Sequence, residues 1–325
     1  MADAGARPPV WIVGAGAIGQ YLAARLAAVA DVTLVSRGDR TAALQERGIT
    51  ISGRESRHVR VRVVAAEDRA APPLEAPVLI ATKVTQLGDA LASVRLLPGA
   101  TLGLCQNGLG VGALAAELAP DAVLVRVGCW FGVSQVGPAE VSLAGLFQLE
   151  LGADDPRAAD GLCDLLGASG LPLSRAPSLA ACEWRKSLWN VAVSGACALL
   201  DVRNGAVLDD PDLRALAQAL VAEAVAVAAA EGVTLEADGS GTAAATVFAS
   251  TEKTRGNYNA MVFDLRRSVP TEMPWLNGAV ARLARAHGLS APTNEAVSRL
   301  VAAAERRPVE SLPGSAPHAA APGFS

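Results

Sequence analysis

Lysine is nearly absent from this chain. Of 28 basic residues only three are lysines, Lys83, Lys186 and Lys253, and the other 25 are arginines. Positive charge is written as guanidinium almost everywhere, so a lysine marks a position where a compact ammonium able to release a proton is wanted. Chance alone would also scatter three lysines, which makes them positions to inspect first. Histidine is equally scarce. His58, His287 and His318 lie far apart and match no zinc spacing, so no metal site is expected, and acid–base work falls to lysine or a carboxylate. The five cysteines, Cys105, Cys129, Cys163, Cys182 and Cys197, are odd in number and never spaced Cys-x-x-Cys, as expected of reduced thiols in a cytoplasmic protein. A net charge of −4 is too close to neutral for a coat on nucleic acid or anionic lipid. No unbroken apolar run approaches the roughly 18 residues of a membrane span. The first apolar stretch, Val10 to Val13, is cut by Gly14, and no signal-peptide pattern precedes it. Neither nucleic acid nor membrane is therefore an expected partner.

What is present is core. Hydrophobic residues make up 51% of 325 positions and charged residues 18%, enough for about two domains of roughly 150 residues each. Strand, glycine turn, helix and strand follow one another from Val10 to Val35, a βαβ unit. Further apolar strands at Val78–Ala81, Thr101–Leu104 and Val123–Val125 alternate with helical patterns at 86–94 and 111–118. This alternation predicts a parallel sheet with helices on both faces. Val59, Val61 and Val63 alternate with His58, Arg60 and Arg62, which reads as one strand with a buried and a solvated face. From Cys129 to about Leu151 the texture predicts short antiparallel strands closing the sheet edge. From Ser178 the pattern turns helical, over 180–196, 211–231, 271–287 and 292–306. The expected organisation is an α/β Rossmann-type dinucleotide-binding domain over 1–177 and an all-α domain over 178–310. A tail from Ser311 to Ser325, rich in Ser, Pro, Ala and Gly, is expected to be disordered.

Gly14-Ala15-Gly16-Ala17-Ile18-Gly19 follows a strand and opens a helix, the context in which glycines serve a pyrophosphate. Gly14 permits the tight turn, Gly16 lets phosphate approach the backbone, and Gly19 lets helix and strand pack closely. At the end of the second strand stand Ser36-Arg37, with Arg40 nearby, where NAD-binding versions carry an acidic residue for the ribose hydroxyl. Arginine there favours the 2′-phosphate of NADP(H). Lys83 and Gln106-Asn107-Gly108 follow strands whose carboxyl ends form the ligand edge of such sheets, although Asn107-Gly108 reads equally well as a turn. Lys186, Asn190 and Ser194 recur every fourth residue and so share one helix face, a polar stripe in an otherwise apolar stretch. Gly132-Val133-Ser134-Gln135-Val136-Gly137 misses the nucleophile-elbow spacing by one residue.

Together these residues resemble the ketopantoate reductase (2-dehydropantoate 2-reductase) family over about residues 10–307. The most specific parts are Val13 to Gly19, Thr82-Lys83, Gln106-Asn107-Gly108, Glu183-Trp184-Arg185-Lys186 with Asn190, and Pro270-Thr271-Glu272 running into Leu276-Asn277-Gly278. The resemblance implies hydride transfer from NADPH to the ketone of a 2-oxo acid, most specifically 2-dehydropantoate to pantoate. It implies Lys186 as general acid and Glu272 across the cleft, contacting cofactor ribose. Asn190 and Asn204 would bind substrate, and Lys83 and Asn107 would touch the nicotinamide end, with Asn107 also within reach of substrate. Two positions depart from the family pattern. Ser194 stands where a second asparagine is usual, and Ala260 where a serine binds the substrate carboxylate. Losing a hydrogen bond to a charged group costs about 1.5–3 kcal/mol, so the reaction type is read more firmly than the substrate. An NADP-binding regulatory protein without turnover, and an opine or 3-hydroxyacid dehydrogenase on the same plan, are the other readings. A homodimer is left open.

Overall fold

The computed structural model describes residues 7–235 and 242–307. The expected tail lies outside the described residues. Val10 to Val13 are apolar on both faces, as a strand buried between two neighbours must be. They form β1 (Pro9–Val13), which pairs in parallel with β2 (Asp31–Ser36) on one side and β6 (Val78–Ile80) on the other. Between β1 and β2 runs α1 (Ala17–Leu26), and after β2 come α2 (Asp39–Arg47), β3 (Ile49–Gly53), β4 (Arg57–Val59) and β5 (Arg62–Ala65). Beyond β6 follow α3 (Leu87–Ala92), β7 (Thr101–Leu104), α4 (Val111–Leu118), β8 (Val123–Gly137), β9 (Glu140–Gly152), α5 (Asp160–Ala168) and β10 (Leu173–Arg175). The ten strands lie in the order β4-β3-β9-β8-β7-β6-β1-β2-β5, with β10 also on β9. The chain runs outward from β1 through β2 in one direction and through β6 and β7 in the other. The switch point, where a crevice opens at the carboxyl ends of the strands, is therefore between β1 and β6.

Two sequence expectations are corrected here. The residues from Cys129 to Leu151 are not short edge pieces but most of one long hairpin, β8 and β9, kinked by three irregularities in register. That hairpin is interior to the sheet, since β3 and β4 extend beyond β9. The Val59–Val63 pattern is likewise not one strand. Residues 57–59 pair antiparallel with β3, whereas 62–65 pair in parallel with β2. The alternation holds, with the valines half-buried and His58, Arg60 and Arg62 exposed. Periodicity identifies a face but not a pairing partner. Because β4 and β5 stand at opposite ends of the strand order, the sheet curls until its two ends meet at residues 60 and 61. Enclosed by the curl, α1 packs against β2, β3, β4, β8 and β9. Tyr21, Leu22, Ala23, Ala24 and Leu26 are fully buried, as expected of a helix covered on every side.

The remaining described chain is helical: α6 (Leu179–Leu200), α7 (Ala206–Asp209), α8 (Pro211–Ala230), α9 (Ala243–Lys253), α10 (Ala260–Arg266), α11 (Asn277–Ala286) and α12 (Pro292–Glu305). The helix expected from Thr271 begins only at Asn277, because Pro274 lacks the N–H that a continuing helix needs. By length and composition α8 is apolar enough to cross a membrane, with a mean hydropathy of 1.6 over its apolar window, which the search for unbroken runs overlooked. Ala217, Leu220, Val221, Ala224, Val227 and Ala228 turn one face of it into the helical core. Its Glu223 accepts hydrogen bonds from the backbone N–H groups of Thr293 and Asn294 at the start of α12.

Helix α6 joins the two halves. Ser178 caps it, its hydroxyl accepting from the Ala181 N–H at 3.1 Å. Its first turn lies directly on the hairpin, where glycine makes the close approach feasible. A Cβ at Gly152 would stand 2.3 Å from the Ser178 carbonyl oxygen and 2.8 Å from the Cys182 Cβ. Backbone cannot yield as a flexible side chain can, so Gly152→Ala is expected to destabilise the protein by about 1–3 kcal/mol. Gly167→Ala, in α5 with no atom within 4 Å of its added Cβ, is expected to be neutral or stabilising by up to about 1 kcal/mol. Urea denaturation of both variants checks this; equal losses would contradict the docking role of Gly152.

Candidate active site

The glycine turn lies at the switch point with the geometry its residues suggest. Gly14 has φ +108°, and a Cβ there would fall 2.7 Å from the Thr82 Cγ2. A Cβ on Gly19 would overlap the Gly14 carbonyl oxygen. At Gly16 the nearest atom to an added Cβ is the Ala81 carbonyl at 4.0 Å, so this backbone faces open space. The N-terminal N–H groups of α1, beginning at Ala17 and Ile18 beside the buried Ala15, have no side-chain cap. Free helix N–H groups and the helix dipole favour an anion at that place. Gln20 is fully buried and donates to the carbonyls of Ala15 (2.9 Å) and Pro138 (3.0 Å), tying the turn to the tip of the hairpin.

Around this crevice lie buried polar atoms with no partner among the described residues: Ser36 Oγ, Arg40 Nε, Thr41 Oγ1, Thr82 Oγ1, both amide atoms of Gln106, and Asn190 Nδ2. Such groups are few in native proteins, and their concentration along one crevice is what a long polar ligand would satisfy. The set fits a nicotinamide dinucleotide. At the β2 end, exposed Arg37 has only a long contact to Asp89 (3.8 Å), and half-buried Arg40 has no acidic partner among the described residues. Burial and the neighbouring Arg37 charge both lower the Arg40 pKa. A cavity of about 350 Å³ opens between Arg40 and the hairpin tip at Gln135–Pro138.

At the carboxyl end of β6 and β7 the two halves of the chain meet. Asn107 Nδ2 donates to Glu272 Oε2 at 3.3 Å. Lys83 Nζ stands 2.7 Å from Asp264 Oδ1 on α10, so its charge is paired across the crevice. Burial raises the Glu272 pKa above its ordinary 4.5; Asn107, Lys83 and the Val84 N–H oppose that rise, and Asp264 adds to it. On α6, Ser194 donates to Asn190 Oδ1 at 3.3 Å, which leaves the Asn190 N–H donors for another acceptor. Lys186 sits half-buried one turn before Asn190 and hydrogen-bonds no described residue. Burial lowers its pKa, Arg126 adds to the lowering, and Glu272 and two thiols oppose it.

Sequence reasoning missed the groups that hold this arrangement. Arg126 is fully buried and pairs with Glu183 of α6 (3.2 Å) while donating to the carbonyls of Leu104, Gln106 and Gly108. Glu183 in turn accepts from the N–H groups of Gly110 (2.8 Å) and Gly112 (2.7 Å) at the start of α4. The signal was an arginine inside the apolar run Val123 to Val127, a placement that requires a buried partner. Asp264 gave no such signal. Asn204, expected to bind substrate, shares no hydrogen bond with Lys186, Asn190 or Glu272. Its amide donates to the Thr254 carbonyl and accepts from Asn259, whose own carbonyl caps α10 beside Ala260.

The raised pKa of Glu272 carries a consequence for stability. A carboxyl whose pKa is higher folded than unfolded contributes stability below about 4.5, and that contribution is lost as pH rises through the folded value. Glu272→Gln removes the ionisation and keeps an oxygen for Asn107. Its melting temperature relative to the unaltered protein is expected to rise as pH increases above about 4.5 and to level off once Glu272 is ionised in the folded protein. A difference that stays constant over that range would show that Glu272 ionises freely.

Residues 10–156 match the family model Ketopantoate reductase PanE/ApbA, and residues 178–305 match Ketopantoate reductase PanE/ApbA C terminal. The 2-dehydropantoate 2-reductase of Pyrococcus horikoshii is 29% identical over 303 residues, covering 91% of this chain and 97% of that protein. That of Streptococcus pyogenes is 28% identical over 310 residues, covering 91% and 97%. Among solved structures, the PanE/ApbA family ketopantoate reductase of Ralstonia eutropha superposes with a TM-score of 0.80 at 23% identity over 91% of this chain and 98% of that one. A D-mandelate dehydrogenase in ternary complex with NADH and anilino(oxo)acetate gives 0.80 at 22% identity, with the same coverage. With both halves matched in order, this chain belongs to the ketopantoate reductase family, oxidoreductases that act on CH–OH groups with a nicotinamide dinucleotide.

Proposed function

We propose that the chain reduces a 2-oxo acid to the 2-hydroxy acid with NADPH, that 2-dehydropantoate is the substrate, and that Lys186 donates the proton. The α/β part, through residue 177, holds the cofactor, and the helical part from 178 supplies the acid and the substrate contacts. One observation carries this reading: among the described residues Lys186 makes no ion pair, whereas the cations around it do. Arg126 is taken by Glu183, Arg185 by Glu150 at 3.0 Å, and Lys83 by Asp264. The chemistry supplied by bound cofactor is a hydride. Its arrival at a ketone carbon leaves negative charge on oxygen, which an unpaired ammonium stabilises before giving up its proton. A lowered pKa brings that proton closer to the working pH. Asn190 offers its free donor to substrate, Ser194 fixes the Asn190 amide, and Asn107 and Glu272 order the opposite wall.

Support for NADPH over NADH comes from Arg37 and Arg40 at the end of β2, with the unpartnered Ser36 and Thr41 hydroxyls beside them. Two guanidiniums, one held only by a long contact to Asp89 and the other in no ion pair among the described residues, suit a phosphate dianion. The kcat/KM for NADPH is expected to exceed that for NADH, and Arg37→Asp to abolish or invert the preference. Equal values in the unaltered protein would remove this part of the reading.

A second reading keeps the reaction and changes the substrate. Ala260 offers no hydroxyl, and the Asn259 amide beside it donates to Asn204. The D-mandelate dehydrogenase shares the fold, and fold alone does not choose among 2-oxo acids. Steady-state kinetics across a panel of 2-oxo acids decides, with 2-dehydropantoate expected to give the highest kcat/KM. With the best substrate, Lys186→Ala is expected to lower kcat by about 10²–10⁴-fold. Lys186→Arg is expected to fall nearly as far, because a guanidinium does not release its proton, while NADPH affinity stays unchanged. If the arginine variant keeps more than about a tenth of kcat, Lys186 only holds the substrate.

A further inference from the structure

We propose that Trp130 is the positioning residue of Lys186, holding the ammonium against its ring face at the crevice wall. The inference rests on the reading of Lys186 as proton donor. The Lys186 Nζ lies 5.3 Å from the centre of the Trp130 ring, within the range of cation–π attraction. The groups that face it otherwise hold it weakly. From β8 come the Arg126 guanidinium, which repels it, and the Cys129 thiol; from its own helix comes the Cys182 thiol. Across the crevice stands Glu272, whose carboxyl burial favours in the uncharged form. The two sulfurs also favour the ammonium, but the indole does so as a neutral ring face with no proton to exchange with it. A carboxylate in its place would bind the proton donor in an ion pair and raise its pKa.

The ring is itself fixed. The pairing of β8 with β9 slips between Trp130 and Phe131, and such a bulge redirects a side chain. A Cβ added at Gly128 would lie 3.5 Å from the indole nitrogen, an ordinary contact distance, so the ring lies directly over this point of the strand. The buried indole N–H is near the Glu150 carboxyl, whose pKa burial raises against the opposing effect of Arg185 and the indole, though outside hydrogen-bond geometry. Glu150 is anchored at 3.0 Å by Arg185, the residue before Lys186. Consecutive side chains of α6 therefore take the two sides of one system, Arg185 through Glu150 to the indole edge and Lys186 on the indole face.

The test uses the full-length protein with NADPH and the best 2-oxo acid of the panel, following kcat and KM from pH 6 to pH 10. Trp130→Leu keeps apolar bulk and removes the ring. It is expected to lower kcat by about 2- to 30-fold and to move the alkaline limb down by up to about one pH unit, with NADPH affinity unchanged. Trp130→Phe, which keeps a face, is expected to recover most of both. Should the leucine variant not fold, 5-fluorotryptophan labelling weakens the ring face without changing its shape. The limb is then expected to shift in the labelled native protein and not in labelled Trp130→Phe. A Trp130→Leu enzyme with unaltered pH profile and kcat but raised KM would overturn the proposal and make Trp130 a wall of the substrate pocket. A phenylalanine variant no better than leucine, or a labelled protein with an unshifted limb, would overturn it too. Lys186→Ala, run alongside, separates the two questions: if it retains kcat, the reading of Lys186 itself is wrong.

Discussion

The buried pair of Arg126 and Glu183 is the constraint on which the site depends. Arg126 has no exposed surface, and Glu183 faces it from the first turns of α6. Removing one member of such a pair leaves an uncompensated charge in the interior, at a cost of about 3–5 kcal/mol. What the pair arranges matters more than what it contributes to stability. Arg126 gathers the carbonyls of the loop that carries Asn107, and Glu183 closes the start of α4 just beyond that loop. Lys186 is one turn further along α6 from Glu183. A single ion pair therefore sets the distance between the carboxyl edge of the sheet and the helix face carrying Lys186. The Gly108 turn adds a second restraint, since the Leu109 N–H donates to the Trp275 carbonyl at 2.8 Å, three residues past Glu272.

Charge around the site is organised by subtraction. Near the meeting of the two halves Arg126, Arg185 and Lys83 each have an anion, and each of these pairs crosses between the α/β half and the helices. The remaining ammonium has two thiols, a repelling guanidinium, the Glu272 carboxyl across the crevice and an aromatic face around it. No ion pair within that set quenches it, and burial lowers its proton affinity toward the range where general acids work. The scarcity of lysine fits the same logic. Arginine serves where a fixed charge must hold several acceptors, as Arg126 does, whereas a lysine ammonium is able to release its proton.

Much of the fold was legible because its signals are local. The glycine turn between an apolar strand and a helix, the alternation of strands and helices, and the four-residue polar spacing on α6 each appear within one element. What was not legible depended on pairing between distant elements. Nothing local says that residues 57–59 and 62–65 belong to opposite ends of the sheet, or that the 129–151 region is one interior hairpin. Pro274 was a readable stop within the expected helix, outweighed by the apolar spacing after it. Matching by motif placed Asn204 without showing its partners. The residue is present, and its amide is bonded to a loop carbonyl and to Asn259. Trp130 was invisible because its neighbour Lys186 comes from another element and is brought close only by the docking of α6 on Gly152.

The enclosure of α1 has a consequence in time. A βαβ unit is ordinarily among the most local of motifs, with its partners within a few tens of residues. Here Gln20 is held by the carbonyl of Pro138, 118 residues later in the chain. At a synthesis rate of about 5–20 residues per second, the N-terminal strand and helix wait roughly 6–24 s before the hairpin that covers them exists. During that interval Tyr21, Leu22 and Leu26 have no lid, and the glycine turn has no fixed height above the sheet. The nascent chain is thus exposed to wrong partners at the very segment that will bind the dinucleotide, and the turn becomes a binding site only when the last strands of the α/β half have closed over it.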